Sequence, residues 1–116
     1  MTIVARHSPY LGMGAHLIRD YVGGLLDQGY NMEILVDDEW RKEGSVAVYY
    51  RPQGTDSIRR DLCAGVRCFV IQDEHPVALP DGVIGNGEIA TVPFNLHRDR
   101  IVDALAEFID LVEGEV

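Results

Sequence analysis

Residues 66–72 form a run of seven positions that is apolar almost throughout. Such a run is typical of a β-strand covered on both faces, because a strand with one face in water alternates polar and apolar side chains. Strands of parallel sheets are covered in this way, since helices pack on either side of the sheet. The run therefore indicates an α/β protein.

Helical periodicity appears in segments on either side of this run. The first apolar stripe comprises Leu17, Ile18, Tyr21, Val22, Leu25 and Leu26, and the last comprises Ile101, Ala104, Leu105, Phe108, Ile109 and Val112. Gly29 stands where a left-handed cap would end the first helix. Gly23 and Gly24 lie inside that helix, which is tolerable if a strand packs closely there. A shorter helix is predicted to begin near residue 55 and end at Gly65, with Ile58 and Leu62 facing inward.

Further β-prone runs at residues 2–6, 31–36 and 45–51 complete the pattern. Asn86-Gly87 is a strong turn signal and predicts an antiparallel hairpin near residues 83–92. The predicted fold is one α/β domain over residues 1–116 in the order β-α-β-β-α-β-β-β-α. It has three helices and a mixed, mostly parallel sheet of about five to six strands. The connection before the third strand is short for a parallel crossover, so the sequence leaves the direction of that strand open between parallel and antiparallel.

Charge and composition exclude several classes of function. The chain has 19 acidic and 10 basic side chains and a net charge of −9, so its field repels phosphate backbones and binding to nucleic acid is not expected. No apolar run is long enough to span a bilayer and no leader is visible, so a cytoplasmic protein without membrane association is expected. Cys63 and Cys68 lie in apolar runs without zinc or redox spacing, which favours structural thiols.

The polar residues that follow the predicted strands are the candidate site, because α/β proteins bind ligands beyond the carboxyl ends of parallel strands. The candidate ligand-binding residues are His7, Ser8, Gly12, Gly14, Asp37, Asp38, Arg51, Asp73 and His75. If the third strand runs antiparallel, Arg51 leaves this group. Residues 1–37 resemble the first β-α-β unit of many nucleotide-binding folds, although Gly12-Met13-Gly14 lacks the third glycine of the dinucleotide fingerprint. No catalytic signature is readable, and neither a cofactor nor a metal is predicted.

The leading hypothesis is a small acidic binding or regulatory domain that acts on a small polar ligand or a partner protein without turnover. Two alternatives stay open, and the sequence does not decide whether the protein is an enzyme. The first is a small enzyme, dependent on a metal or a phosphorylated ligand, that uses the His and Asp residues of the same edge. The second is an acidic inhibitor or immunity-type protein that masks a basic protein surface. A homodimer is also compatible with the sequence.

The last helix carries an acidic stripe opposite its apolar face, which consists of Asp99, Asp103, Glu107 and Asp110. This stripe is interpreted as a solvated face, with docking of a basic partner as the alternative.

Overall fold

The computed structural model describes residues 2–7, 14–36, 46–52, 56–72 and 89–114. Strands and helices alternate along most of this chain. The elements are β1 (Thr2–His7), α1 (Gly14–Asp27), β2 (Glu33–Val36), β3 (Val46–Tyr50), α2 (Asp56–Cys63), β4 (Arg67–Gln72), β5 (Ile89–Pro93) and α3 (Arg98–Gly114). The predicted α/β fold with three helices is confirmed.

The five strands form one sheet in the order β2-β1-β3-β4-β5, and every strand pair runs parallel. The sequence left the direction of the third strand open, and β3 runs parallel to both of its neighbours. β1 separates β2 from β3, so residues 37–45 connect strands that are not neighbours. Fully extended, nine residues reach about 30 Å. This reach is enough to return along a five-residue strand and to cross two strand spacings of about 4.8 Å each, so nine residues can connect two parallel strands that have β1 between them.

Apolar side chains of the sheet alternate between two cores, one on each face. On the first face, α1 and α3 pack on Ile3, Ala5, Val46, Val48, Tyr50, Phe69 and Ile71. On the second face, α2 packs on Ala47, Tyr49, Cys68 and Val70 through Ile58 and Leu62. The two faces of β4 are thus both buried, as the apolar run at residues 66–72 predicted. Cys68 is buried in the second core, whereas Cys63 is exposed on the outer side of α2 and is not a core residue.

The first two helices end in the same way, at a glycine with a left-handed backbone. Gly29 has φ +94°, and the Tyr30 amide donates to the Leu25 carbonyl at 3.2 Å. Gly65 has φ +83°, and the Val66 amide donates to the Asp61 carbonyl at 2.9 Å. The glycine caps predicted at Gly29 and Gly65 are thus confirmed. A side chain is poorly tolerated at such φ values, which explains why glycine stands where each chain segment turns back toward the sheet.

The hairpin predicted near residues 83–92 is described only in its second half. Residues 89–92 belong to β5, which pairs in parallel with β4. Residues 83–88, including the Asn86-Gly87 turn, lie outside the described residues, so the antiparallel pairing stays a prediction. Within the described ranges, no helix combines the length and the apolar character needed to cross a membrane.

Candidate functional site

Because all five strands are parallel, their carboxyl ends lie at the same edge of the sheet, which we call the carboxyl edge. α1 begins at Gly14 and follows β1, so the amide groups of its first turn face this edge. β2 and β3 lie on opposite sides of β1 in the sheet. The chain passes from β1 through α1 to β2, and then through residues 37–45 to β3. The gap between the ends of β1 and β3 is therefore the topological switch point, where doubly wound sheets bind their ligands.

Arg51 is the first residue after β3 and has an unusual backbone. Its φ of +48° lies in the left-handed region, and it is the only non-glycine residue in the described part of the chain with positive φ. Such a conformation costs about 1 kcal/mol or more and persists where neighbouring contacts impose it. Here the Arg51 amide donates to the Ile71 carbonyl at 2.7 Å, which extends the pairing of β3 with β4 by one residue.

The Arg51 guanidinium lies over the ring of Phe94, with its Cζ atom 4.2 Å from the ring centroid. Phe94 directly follows β5, and β4 lies between β3 and β5 in the sheet. The side chain of Arg51 therefore crosses the carboxyl end of β4. Stacking on an aromatic face holds the guanidinium in place at this edge.

Gln72 is the last residue of β4, and by strand alternation its side chain lies on the face of Cys68 and Val70, opposite the face on which Phe94 packs. Its backbone carbonyl accepts from the Phe94 amide at 2.9 Å. Its side-chain oxygen Oε1 is buried and has no hydrogen-bond partner among the described residues. We call Arg51 and Phe94 the Arg51 platform.

A buried polar cluster lies on the second face of the sheet, just below the switch point. The Arg6 guanidinium donates from Nε to Asp61 Oδ2 at 2.7 Å and from Nη2 to Asp61 Oδ1 at 2.8 Å. The Tyr49 hydroxyl donates to the same Oδ2 atom. Arg6 and Tyr49 are register partners and the penultimate residues of β1 and β3, so this one carboxylate of α2 ties together the two strands that border the switch point.

The cluster is almost completely removed from water, since Arg6 is 1% exposed and Asp61 is 2% exposed. The Asp61 carboxylate and the Arg6 guanidinium balance each other's charge in a bidentate pair, the strongest geometry for such a contact. Burial raises the pKa of Tyr49 well above its usual value, and the hydrogen bond to Asp61 and the charge of that carboxylate raise it further. Tyr49 therefore stays a neutral donor to Asp61.

The sequence interpretation missed this cluster, although one signal was available. Asp61 stands between Ile58 and Leu62 on the inward stripe of α2, so a carboxylate was already placed on a buried face. A buried carboxylate needs a cation or several donors, and that requirement would have directed attention to the basic residue of a neighbouring strand. Arg6 is that residue.

The structure describes three of the nine predicted site residues. His7 ends β1 and pairs with Tyr50, and only its backbone is described. Gly14 begins α1, and Arg51 lies at the carboxyl edge as the parallel arrangement requires. The other six, Ser8, Gly12, Asp37, Asp38, Asp73 and His75, lie outside the described residues. Convergence of His7 with Asp37 and Asp73 is thus a prediction that the described residues leave open.

A second concave region lies between α1 and α3. It has a volume of about 270 Å³ and is lined by Gly24, Asp27, Gln28, Arg98, Asp99, Val102 and Asp103. The Arg98 guanidinium donates from Nε to Asp20 Oδ2 at 2.5 Å, and the Tyr30 hydroxyl donates to Asp110 Oδ1 at 2.9 Å. Three carboxylates at this surface, Asp20, Asp99 and Asp110, are thus engaged within the chain. The four acidic residues of the α3 stripe are exposed as predicted.

The parallel order β2-β1-β3-β4-β5 with helices on both faces defines a flavodoxin-like, doubly wound α/β protein. One solved structure similar to this chain is a mutant of a flavo di-iron protein from Thermotoga maritima, with a TM-score of 0.55 and 10% sequence identity. The match covers 96% of this chain and 35% of that chain, so this chain spans about a third of its length. No family model matches the sequence, and no curated protein matches it. At this identity the likeness shows the fold alone.

Proposed function

We propose that this protein is a binding domain for a small anionic ligand, which it holds at the carboxyl edge through Arg51. The observation that supports this is the built position of one cation. Arg51 has a strained backbone that places its side chain across the end of β4, and its guanidinium is stacked on Phe94. A guanidinium fixed before the ligand arrives binds phosphate or carboxylate with little loss of side-chain freedom.

Two further features favour an anion at this edge of the sheet. The first turn of α1 directs amide groups and the positive end of the helix dipole toward the same edge. Sheets of this topology bind ligands at the switch point, which the backbone of Arg51 borders through β3, while its guanidinium lies on the β5 side. The net charge of −9 acts against an anion, so binding there depends on the local charge of Arg51.

Isothermal titration with inorganic phosphate tests the proposal. We expect saturable binding that weakens about 10- to 100-fold in Arg51→Gln, because a hydrogen bond to a charged group contributes about 1.5–3 kcal/mol. Arg67→Gln is the matched control. Arg67 is also a half-buried arginine, but it begins β4 and lies at the opposite edge of the sheet, so its loss removes the same charge without changing binding. Binding that survives Arg51→Gln, or falls equally in Arg67→Gln, would refute the role of Arg51.

The enzyme alternative uses His7, Asp37, Asp73 and His75, and the acidic-inhibitor alternative uses the acidic surface as a whole. Both remain predictions. An activity toward phosphate esters that is lost in His7→Ala or Asp73→Ala would favour the enzyme over a domain that only binds.

A further inference from the structure

The buried polar cluster of Arg6, Tyr49 and Asp61 is more than the second face of the sheet needs for stability. Both ions of the cluster are almost completely removed from water. A buried ion pair is often no more stabilising than apolar side chains of the same volume, because desolvation offsets the attraction between the charges. The best-attested use of such a pair is to fix one arrangement of the chain. The elements that contribute the three residues show which arrangement is fixed here.

The cluster joins α2 to the end of β1. The apolar core of the second face contains side chains of α2, β3 and β4, and among the described residues it includes none of β1. Asp61 of α2 extends this packing sideways, since its carboxylate accepts from Arg6 of β1 at 2.7 and 2.8 Å and also from Tyr49 of β3. Arg6 and Tyr49 are each followed by the last residue of their strand. α2 is thus attached to both strands one residue before the carboxyl edge.

α2 itself begins at the carboxyl edge. It starts at Asp56, shortly after β3, just as α1 starts after β1, and the two helices lie on opposite faces of the sheet. Asp61 lies five residues beyond Asp56, which is about 7.5 Å along the helix axis. The attachment to β1 and β3 therefore acts close to the first turn of α2, on the second-face side of the switch point.

We infer that Asp61 is a positioning residue for ligands at the carboxyl edge: with Arg6 and Tyr49 it holds the start of α2 against the ends of β1 and β3 before a ligand arrives. The inference rests on the anion-binding function proposed above. A site that is already ordered loses less freedom on binding, so it binds more tightly than a site that the ligand must order. The charges of Arg6 and Asp61 cancel and Tyr49 is neutral, so this contribution is one of geometry rather than of attraction for the anion.

The test replaces the whole cluster by apolar side chains, in a triple variant that combines Arg6→Met, Tyr49→Phe and Asp61→Leu. This variant loses one basic and one acidic side chain, so the net charge of −9 is unchanged. It also leaves no ion or hydroxyl of the cluster buried without its partner. We expect its melting temperature to stay near the native value, because apolar side chains replace the whole pair. Its affinity for inorganic phosphate, measured by isothermal titration, should fall about tenfold, because the edge must then be ordered by the ligand.

A smaller change decides the matter if the triple variant does not fold. Tyr49→Phe removes one of the three hydrogen bonds that Asp61 accepts and should weaken phosphate binding severalfold. Tyr30→Phe is the matched control, since the Tyr30 hydroxyl also donates to a carboxylate, Asp110, at 2.9 Å. Tyr30 follows the end of α1 and lies at the opposite edge of the sheet, so its loss should leave the affinity for phosphate unchanged.

The outcomes separate the inference from the proposed function. A folded triple variant with native affinity for phosphate would overturn the inference and leave the proposed function standing, because the cluster would then be structural alone. Equal losses of affinity in Tyr49→Phe and Tyr30→Phe would also overturn it, since they would reflect a general loss of stability. If the triple variant does not fold, an unchanged affinity in Tyr49→Phe overturns it. If the native protein does not bind phosphate, the proposed function fails and the inference with it.

Discussion

Asp61 is the residue on which the second face of the sheet depends most. Moving a carboxylate and a guanidinium out of water costs several kcal/mol for each ion, and their mutual attraction repays this only when the geometry is good. Asp61 accepts two bonds from Arg6 and one from Tyr49, so its oxygens are well supplied with donors. A pair of leucine-like side chains would fill the same space without that cost. The cluster therefore contributes a fixed geometry between β1 and β3 rather than net stability.

Removing one charge of the buried pair should be far more damaging than removing both. We expect Asp61→Asn to destabilise the fold by about 3–5 kcal/mol, since Arg6 then keeps a buried charge without the carboxylate that balances it. The double variant Arg6→Met with Asp61→Leu should recover most of this loss, because apolar side chains of similar volume replace the whole pair. Urea unfolding of the native protein, of Arg6→Met, of Asp61→Leu and of the double variant gives the coupling energy. Additive losses in the double variant would contradict a coupled ion pair.

At the scale of helices, Gly23 and Gly24 of α1 have different environments although they are adjacent. A Cβ atom built on Gly24 would lie 3.1 Å from Val102 Cγ1 and 3.3 Å from Arg98 Nη2, so α3 approaches the backbone of α1 at this point. A Cβ atom built on Gly23 meets nothing within 4 Å. The sequence interpretation considered this pair tolerable if a strand packed closely against it. The element that does so is a helix, and it needs only one of the two glycines.

The two alanine substitutions should accordingly change the free energy of unfolding by different amounts. Gly23→Ala should stabilise the protein by about 0.5–1 kcal/mol, because alanine is the better helix former and the methyl group meets no neighbour. Gly24→Ala gains the same helix propensity, but Val102 must move by a few tenths of an ångström, so we expect it to be at least 1 kcal/mol less stable than Gly23→Ala. Thermal unfolding of the two variants side by side measures this difference. Equal melting temperatures would mean that α3 can shift to accommodate the methyl group of Gly24→Ala without a loss of stability.

The elements that sequence could predict are those specified by local pattern. The apolar run at residues 66–72 predicted a strand buried on both faces, and Gly29 and Gly65 predicted where two helices end. The direction of β3 could not be obtained in this way, because it depends on β1 lying between β2 and β3, which is a long-range pairing. The site divides along the same line. Arg51 was predicted at the strand ends from its position alone, whereas its contact with Phe94 joins residues 43 positions apart.

At the scale of the whole molecule, the net charge of −9 and the proposed anionic ligand act in opposite directions. The global field slows the approach of an anion, and the charge of Arg51 acts only over a few ångströms within a half-buried setting. Discrimination among anions must then come from fixed contacts at the carboxyl edge rather than from long-range attraction. The contact that holds the Arg51 guanidinium over Phe94 is of this kind.

The stability of the whole molecule should fall at alkaline pH because of Tyr49. Burial raises the pKa of this hydroxyl in the folded protein, while in the unfolded chain it ionises near pH 10. Its contribution to stability is therefore fully present below about pH 10 and is lost as the pH rises above that value, with a slope of up to about 1.4 kcal/mol per pH unit. Burial also raises the pKa of Tyr21, but Tyr21 is present in both the native protein and a Tyr49→Phe variant, so its effect on the difference in their stabilities cancels.

Tyr49→Phe should be less stable than the native protein by about 1–2 kcal/mol at neutral pH, since one buried hydrogen bond to a carboxylate is lost. The gap between the two proteins should then narrow between about pH 10 and pH 11, because the variant has no hydroxyl to ionise at this position. Urea unfolding across this range measures the gap, and tyrosinate absorbance shows whether ionisation accompanies unfolding. A gap that stays constant with pH would show that Tyr49 ionises equally in the folded and unfolded chains, which is incompatible with a hydroxyl held in the buried cluster.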